Sequence, residues 1–119
     1  MRALIFGCVA LLMSTSLVLA EDIMVGYYGN TLVAKTATGE LHIHYLADHT
    51  FNASGTSAQG PVAYKGTWTI DDKSQLCRTY DSPPPTMHNP VCTPWSAHNV
   101  GDSWTMGANV SLSLVPGIQ

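Results

Sequence analysis

The sequence predicts an all-β domain, a small antiparallel meander of about seven or eight strands closing into a barrel, with one disulfide. Three observations carry this. Residues 62–70 place Val62, Tyr64, Gly66, Trp68 and Ile70 on one side of a period-2 pattern and Ala63, Lys65, Thr67 and Thr69 on the other, which is the pattern of a half-buried strand. Turn-forming clusters recur between such runs, at Gly29-Asn30, Thr38-Gly39 and Asp71-Asp72-Lys73-Ser74. No apolar set after residue 20 recurs at spacings of three and four with caps, so that part carries no helix signature. Closure is favoured because the chain spends no residues on covering sheet edges; a β-sandwich is the alternative.

Taken in order, residues 1–20 read as a signal peptide outside the fold. Arg2 supplies the positive start, residues 3–19 are almost wholly apolar, and small or aliphatic Val18-Leu19-Ala20 precede acidic Glu21-Asp22. The apolar run is about as long as a short membrane span, so an uncleaved anchor is the alternative. Residues 21–119 form the single barrel domain. Within it, residues 24–28 read as a first strand, 31–36 as the next, and 40–46 as a third with Leu41, Ile43 and Tyr45 opposite His42 and His44. Ala47-Asp48-His49 turns the chain into a short strand at 50–53, anchored by Phe51. Residues 54–61 read as a small-residue loop. The hairpin 62–80 follows, then a proline-rich stretch at 81–102 without periodicity, long enough to be a functional flap or a stapled surface loop. Residues 103–115 alternate throughout and read as one long strand bending at Gly107.

Composition limits the partners. Without Arg2, four cationic side chains face eight carboxylates, a net charge of −4. With no basic patch, nucleic acid and, after signal cleavage, a membrane surface are not expected partners. Cys8 leaves with the signal, and Cys77 and Cys92 remain as an even pair, so an exported chain would bridge them. The bridge closes a loop of about 16 residues, worth roughly 3 kcal/mol, and pins the flap to the hairpin.

The succession Ala47-Asp48-His49-Thr50-Phe51, Gly66-Thr67-Trp68 and Leu76-Cys77 resembles a pattern in small exported bacterial β-barrel proteins of uncharacterised function, whose first turn reads Ala-Asp-Gly-Thr-Phe. Here His49 stands where that pattern has Gly. The Gly-x-Trp is also similar to that of lipocalin-like and avidin-like (calycin-like) barrels, where it lies near a ligand cavity. The resemblance covers residues 41–77. It implies a barrel and transfers no catalytic residue.

Several side chains are candidates for chemistry. Tyr64, Trp68, Tyr80 and Trp104 would form an aromatic wall for a small apolar or aromatic ligand, or pack the core. Arg78 would anchor a carboxylate or other anion if it faces inward; facing outward, it is a surface residue. His42 and His44, two apart on a strand, point the same way and could share a metal ion with a third ligand from His49, His88 or His98; the competing reading is a solvated face, and no cofactor is expected. Asp48 beside His49, His44, and His98 with Asp102 are the acid–base candidates. No nucleophile elbow, phosphate loop, dinucleotide fingerprint or zinc motif is present. The expected function is thus a secreted or periplasmic small-molecule-binding barrel. The alternatives are a cofactor-independent isomerase, lyase or cyclase using the same cavity, and an interaction protein with Trp95 as an exposed anchor.

Overall fold

A computed structural model describes residues 20–119; the expected signal peptide lies outside the described residues, apart from Ala20. One short helix, α1 (Ala20–Met24), precedes eight strands: β1 (Thr31–Thr36), β2 (Gly39–Tyr45), β3 (Thr50–Ser57), β4 (Gly60–Ile70), β5 (Gln75–Tyr80), β6 (Val91–Pro94), β7 (Ser103–Met106) and β8 (Val110–Val115). They make one sheet in the order β6-β5-β4-β3-β2-β1-β8-β7. Every neighbouring pair is antiparallel. The sheet is a meander curled into a half-barrel, with β6 and β7 as its edge strands.

The alternation expected for residues 62–70 holds along β4. Gly66 and Trp68 are buried while Ala63, Lys65, Thr67 and Thr69 are exposed. Trp68 is 1% exposed, and its Nε1–H donates to the carbonyl of Leu46 at 3.0 Å. Its ring and its hydrogen bond therefore fasten β4 to the turn that follows β2. The core continues through Leu32, Ile43, Tyr45, Phe51, Ala53, Leu76, Leu112 and Leu114, which line the concave face of the sheet.

Three segments differ from expectation. Residues 24–28 are not a strand: Met24 ends α1 and the chain then turns, with Tyr27 N–H bonded to the Met24 carbonyl at 2.8 Å. Ile23, Met24 and Tyr27 are buried, and their spacing is that of one helical face. The segment covers apolar surface that a curled but open sheet would leave wet. Residues 54–61 are not a loop, since β3 runs to Ser57 and β4 starts at Gly60, leaving a two-residue link. Small and polar residues on both faces gave this end no apolar phase, but the backbone pairs regardless, and a Cβ on Gly55 would collide with the carbonyl of Glu40. Residues 103–115 are a hairpin, turning at Gly107 with φ of +69°. Trp104 pairs with Leu112 and Met106 with Val110, so the apolar phase survives the reversal.

The Asp71–Ser74 turn is built by Asp71, whose Oδ1 accepts from Lys73 N–H at 2.9 Å and Gln75 N–H at 2.8 Å. Cys77 and Cys92 stand directly opposite each other on β5 and β6 and are bridged. The disulfide thus holds edge strand β6, which lies inside the stretch expected to be a flap.

Candidate functional site

The site begins where two strands part. β5 pairs with β4 only from Gly66 to Ile70. From Gly60 to Lys65, β4 has β3 on one side and, among the described residues, no strand on the other. The last link is Asp81 N–H to the Lys65 carbonyl at 2.9 Å. A recess of about 500 Å³ opens there, lined by residues that include Asn52, Ser54, Tyr64, Lys65, Tyr80 and Asp81. The Tyr64 and Tyr80 rings meet edge to face, 5.7 Å apart at 86°. Tyr80 is braced from behind by Phe51, 5.2 Å away and also edge-on. Two of the five expected ligand residues are therefore together, with an ammonium and a carboxylate beside them.

The other three go elsewhere. Trp68 is core. Trp104 is half-buried and stacked on the His98 ring, with centroids 3.5 Å apart. Arg78 faces inward, on the same side of β5 as Leu76 and Tyr80 and opposite Trp68 across the β4–β5 pair. Its Nε is buried and has no hydrogen-bond partner among the described residues. Arg78 stands close enough to Tyr45 to act on its phenol electrostatically, although no hydrogen bond of acceptable geometry joins them. Burial pushes the Tyr45 phenol up, Arg78 offsets part of that rise, and the neighbouring Tyr80 phenol adds to it. Trp95 is not an exposed anchor: its ring packs 5.7 Å from Tyr27 and 6.1 Å from Tyr45.

Four of the five histidines fall in three environments, and the fifth, His88, is exposed between β5 and β6. His42 and His44 share the outer face of β2. His42 Nε2 lies 2.7 Å from Glu40 Oε2, and His44 Nδ1 lies 2.8 Å from Asn52 Oδ1. Both rings also approach the carbonyl oxygen of Gln119, at 3.4 and 3.2 Å. No set of three His, Cys, Asp or Glu side chains among the described residues is placed to hold a metal ion. His44 and Asp48 do line one shallow recess of about 600 Å³ with Tyr28, Tyr45 and Ile118. Asp48 does not orient His49. Its carboxylate accepts from the Thr50 hydroxyl at 2.6 Å and the Thr50 N–H at 3.0 Å, which hold it below the usual carboxylate range. His49 instead stacks on Trp68, 4.1 Å between centroids at 13°.

The third environment is the loop after β6. His98 Nδ1 lies 3.2 Å from Asp102 Oδ2, and Nε2 lies 3.3 Å from Ser96 Oγ. Asp102 is held below the usual range by Asn99 N–H and then by His98. Tyr27 donates to the Ser96 carbonyl at 3.0 Å, and a Cβ on Gly26 would collide with the His98 carbonyl, so the N-terminal segment props this loop. Ser96 and Asn52 were not among the expected site residues. The spacing Ser-x-His-x3-Asp within one loop was the available signal for Ser96. For Asn52 it was the β2–β3 register, which pairs it with His44. Among known families, curated proteins and solved structures, none matches this chain.

Proposed function

We propose that the protein is an exported module that binds a small apolar or aromatic molecule in the recess between β3, β4 and the end of β5. The observation that carries this is the pair of tyrosine rings, Tyr64 and Tyr80, set edge to face in the wall of a recess of about 500 Å³. That volume falls in the range of small-molecule pockets, and aromatic walls with a few polar groups are their usual lining. The Cys77–Cys92 bridge supports an oxidising compartment, and no helix among the described residues is long and apolar enough to cross a membrane. The test is a thermal-shift screen of the protein against small aromatic metabolites, repeated on Tyr64→Ala and Tyr80→Ala. A hit whose shift shrinks in both variants supports the reading; a silent screen removes it. Fractionation of cells expressing the full chain tests export, and a product retained with an intact residue 1–20 segment in the cytosol removes that part.

A second reading, acid–base catalysis without a cofactor, has one observation in its favour: of the acid–base pairs expected, His98–Asp102 is the one in contact. Replacing His98 by Gln would abolish any turnover found in a screen of proton-transfer reactions. Turnover that survives the replacement removes His98 from that chemistry.

A further inference from the structure

The loop between β6 and β7 brings a hydroxyl, an imidazole and a carboxylate into one chain. Ser96 Oγ lies 3.3 Å from His98 Nε2, and His98 Nδ1 lies 3.2 Å from Asp102 Oδ2. An ionised carboxylate only accepts, so in the neutral ring the nitrogen facing it carries the proton. Nε2 then keeps the lone pair and accepts from the Ser96 hydroxyl. Ser96 itself is exposed, so its hydroxyl is open to a molecule arriving from solvent.

The fold holds each of the three in place. Asp102 Oδ2 also accepts from Asn99 N–H at 2.9 Å. The Asp102 N–H donates to the Asn99 carbonyl at 3.0 Å, and its carbonyl accepts from Leu114 N–H at 3.0 Å, which ties the carboxylate to β8. The His98 ring lies flat on Trp104, 3.5 Å between centroids at 3°, so its plane is fixed. The Ser96 carbonyl accepts from the hydroxyl of buried Tyr27 at 3.0 Å. These bonds close the loop without the Ser96 hydroxyl, which has water available in place of the imidazole. A nucleophile, a base within reach of it and a third group orienting that base are the signature of an activated serine, recognised by geometry and roles on unrelated folds.

We propose that Ser96 is the nucleophile of an acyl-transfer site, with His98 as its general base and Asp102 as the residue positioning that base, and that the substrate is a small ester with an aryl leaving group. The inference rests on the second reading above for the His98–Asp102 pair, and goes beyond it in naming the nucleophile and the reaction. Ser96 Oγ bonds to the acyl carbon as its proton passes to His98 Nε2. The bond from that carbon to the aryl oxygen breaks, and the phenolate leaves with the electron pair. A phenolate departs without needing a proton, so one nucleophile and one base suffice, which is why the class is an aryl ester rather than an amide. The imidazolium releases its proton to solvent. Water then attacks the acyl-serine, Nε2 takes the water's proton and returns it to Ser96 Oγ as the ester bond breaks, and a carboxylic acid is released.

The test joins covalent labelling to turnover. The wild type, Ser96→Ala, His98→Gln and Asp102→Asn, each checked for folding by circular dichroism, are treated with diisopropyl fluorophosphate and mapped by peptide mass, and are assayed with para-nitrophenyl acetate. One label per chain, on Ser96, is expected in the wild type, its rate falling at least about tenfold in His98→Gln, with hydrolysis falling by a like factor in both Ser96→Ala and His98→Gln. No label, or a label on another residue, overturns the proposal on the wild type alone, whatever the variants do. Hydrolysis that survives Ser96→Ala but is lost in His98→Gln overturns the nucleophile and leaves the acid–base reading standing; hydrolysis untouched by either replacement removes both for this reaction. The positioning role is read by nitrogen NMR of His98. The proton is expected on Nδ1 in the wild type and redistributed toward Nε2 in Asp102→Asn, with slower labelling; an unchanged tautomer and labelling rate overturn Asp102's part.

Discussion

Replacing His49 by alanine and by glycine separates two opposing effects in the turn between β2 and β3. His49 has φ of +71°, a left-handed conformation that costs a residue with a Cβ roughly 1–2 kcal/mol. The ring returns part of that by lying flat on Trp68, 4.1 Å away, and aromatic pairs of this kind contribute about 0.5–1.5 kcal/mol beyond area burial. The turn needs the conformation because three backbone bonds meet there: His49 N–H to the Leu46 carbonyl, Leu46 N–H to the Thr50 carbonyl and Trp68 N–H to the His49 carbonyl. His49→Ala keeps the strain and loses the stack, so it should be destabilised by about 1 kcal/mol, a fall in Tm of roughly 4–8 °C for a domain of this size. His49→Gly loses the same stack but releases the strain, less the extra freedom glycine gains in the unfolded chain, roughly 0.5–1 kcal/mol. It should therefore fall between alanine and wild type. Urea denaturation with a common m-value reads both differences. A glycine variant no more stable than the alanine one would refute the backbone argument, and an alanine variant as stable as wild type would refute the stacking one.

Three further outcomes are expected. Reducing the Cys77–Cys92 bridge should lower stability by about 3 kcal/mol, readable as a drop in the urea midpoint; an unchanged midpoint would mean that β6 is held by strand pairing alone. Trp68→Phe removes the Nε1–H bond to the Leu46 carbonyl, which keeps the His49 N–H as its partner, a loss of about 0.5–1.5 kcal/mol, checked by thermal melting. Asp48 and Asp102 are both held below the ordinary carboxylate range in the folded protein, Asp48 chiefly by Thr50 and Asp102 chiefly by Asn99. A depressed folded value stabilises the fold at pH above the unfolded value, near 4, and that contribution is lost as pH falls through the folded value. Melting temperature should therefore decline below about pH 4, and the Asp48→Asn/Asp102→Asn protein should show a flatter acid limb; an identical acid limb would exclude these two groups.

What could be read from the sequence follows the apolar phase. The β4–β5 hairpin was legible because one face of it is buried along its length, with Trp68 and Leu76 at its centre. The disulfide was legible from parity alone. Residues 54–57 were not, because that end of β3 buries neither face and its pairing is a backbone property. The N-terminal cover was not, because Ile23, Met24 and Tyr27 span too few residues for periodicity to register. The β7–β8 hairpin was hidden by its own regularity, since directly paired residues share a face and the alternation passes through the turn. In the candidate site, Tyr64 and Tyr80 belong to faces the alternation already assigned. Arg78 shares its parity with Leu76 and Tyr80, so its inward direction was readable once that face was known. The Ser96–His98–Asp102 chain was not, because loop residues carry no period and their meeting depends on the support of Gly26 and Tyr27.

The half of β4 that has no second neighbour among the described residues bears on solubility. The Lys65 carbonyl points to that side, where Asp81 meets it, and the period of two along a strand directs the backbone groups of Ala63 and Pro61 the same way. A bare row of donors and acceptors is a template for intermolecular sheet growth. Pro61 interrupts the row by lacking an N–H, and the exposed Lys65 sets a charge at its other end. The open side of β4 is thus guarded by its own sequence against a second chain adding itself as a strand, and Pro61 is the residue whose replacement would restore the missing donor to that row.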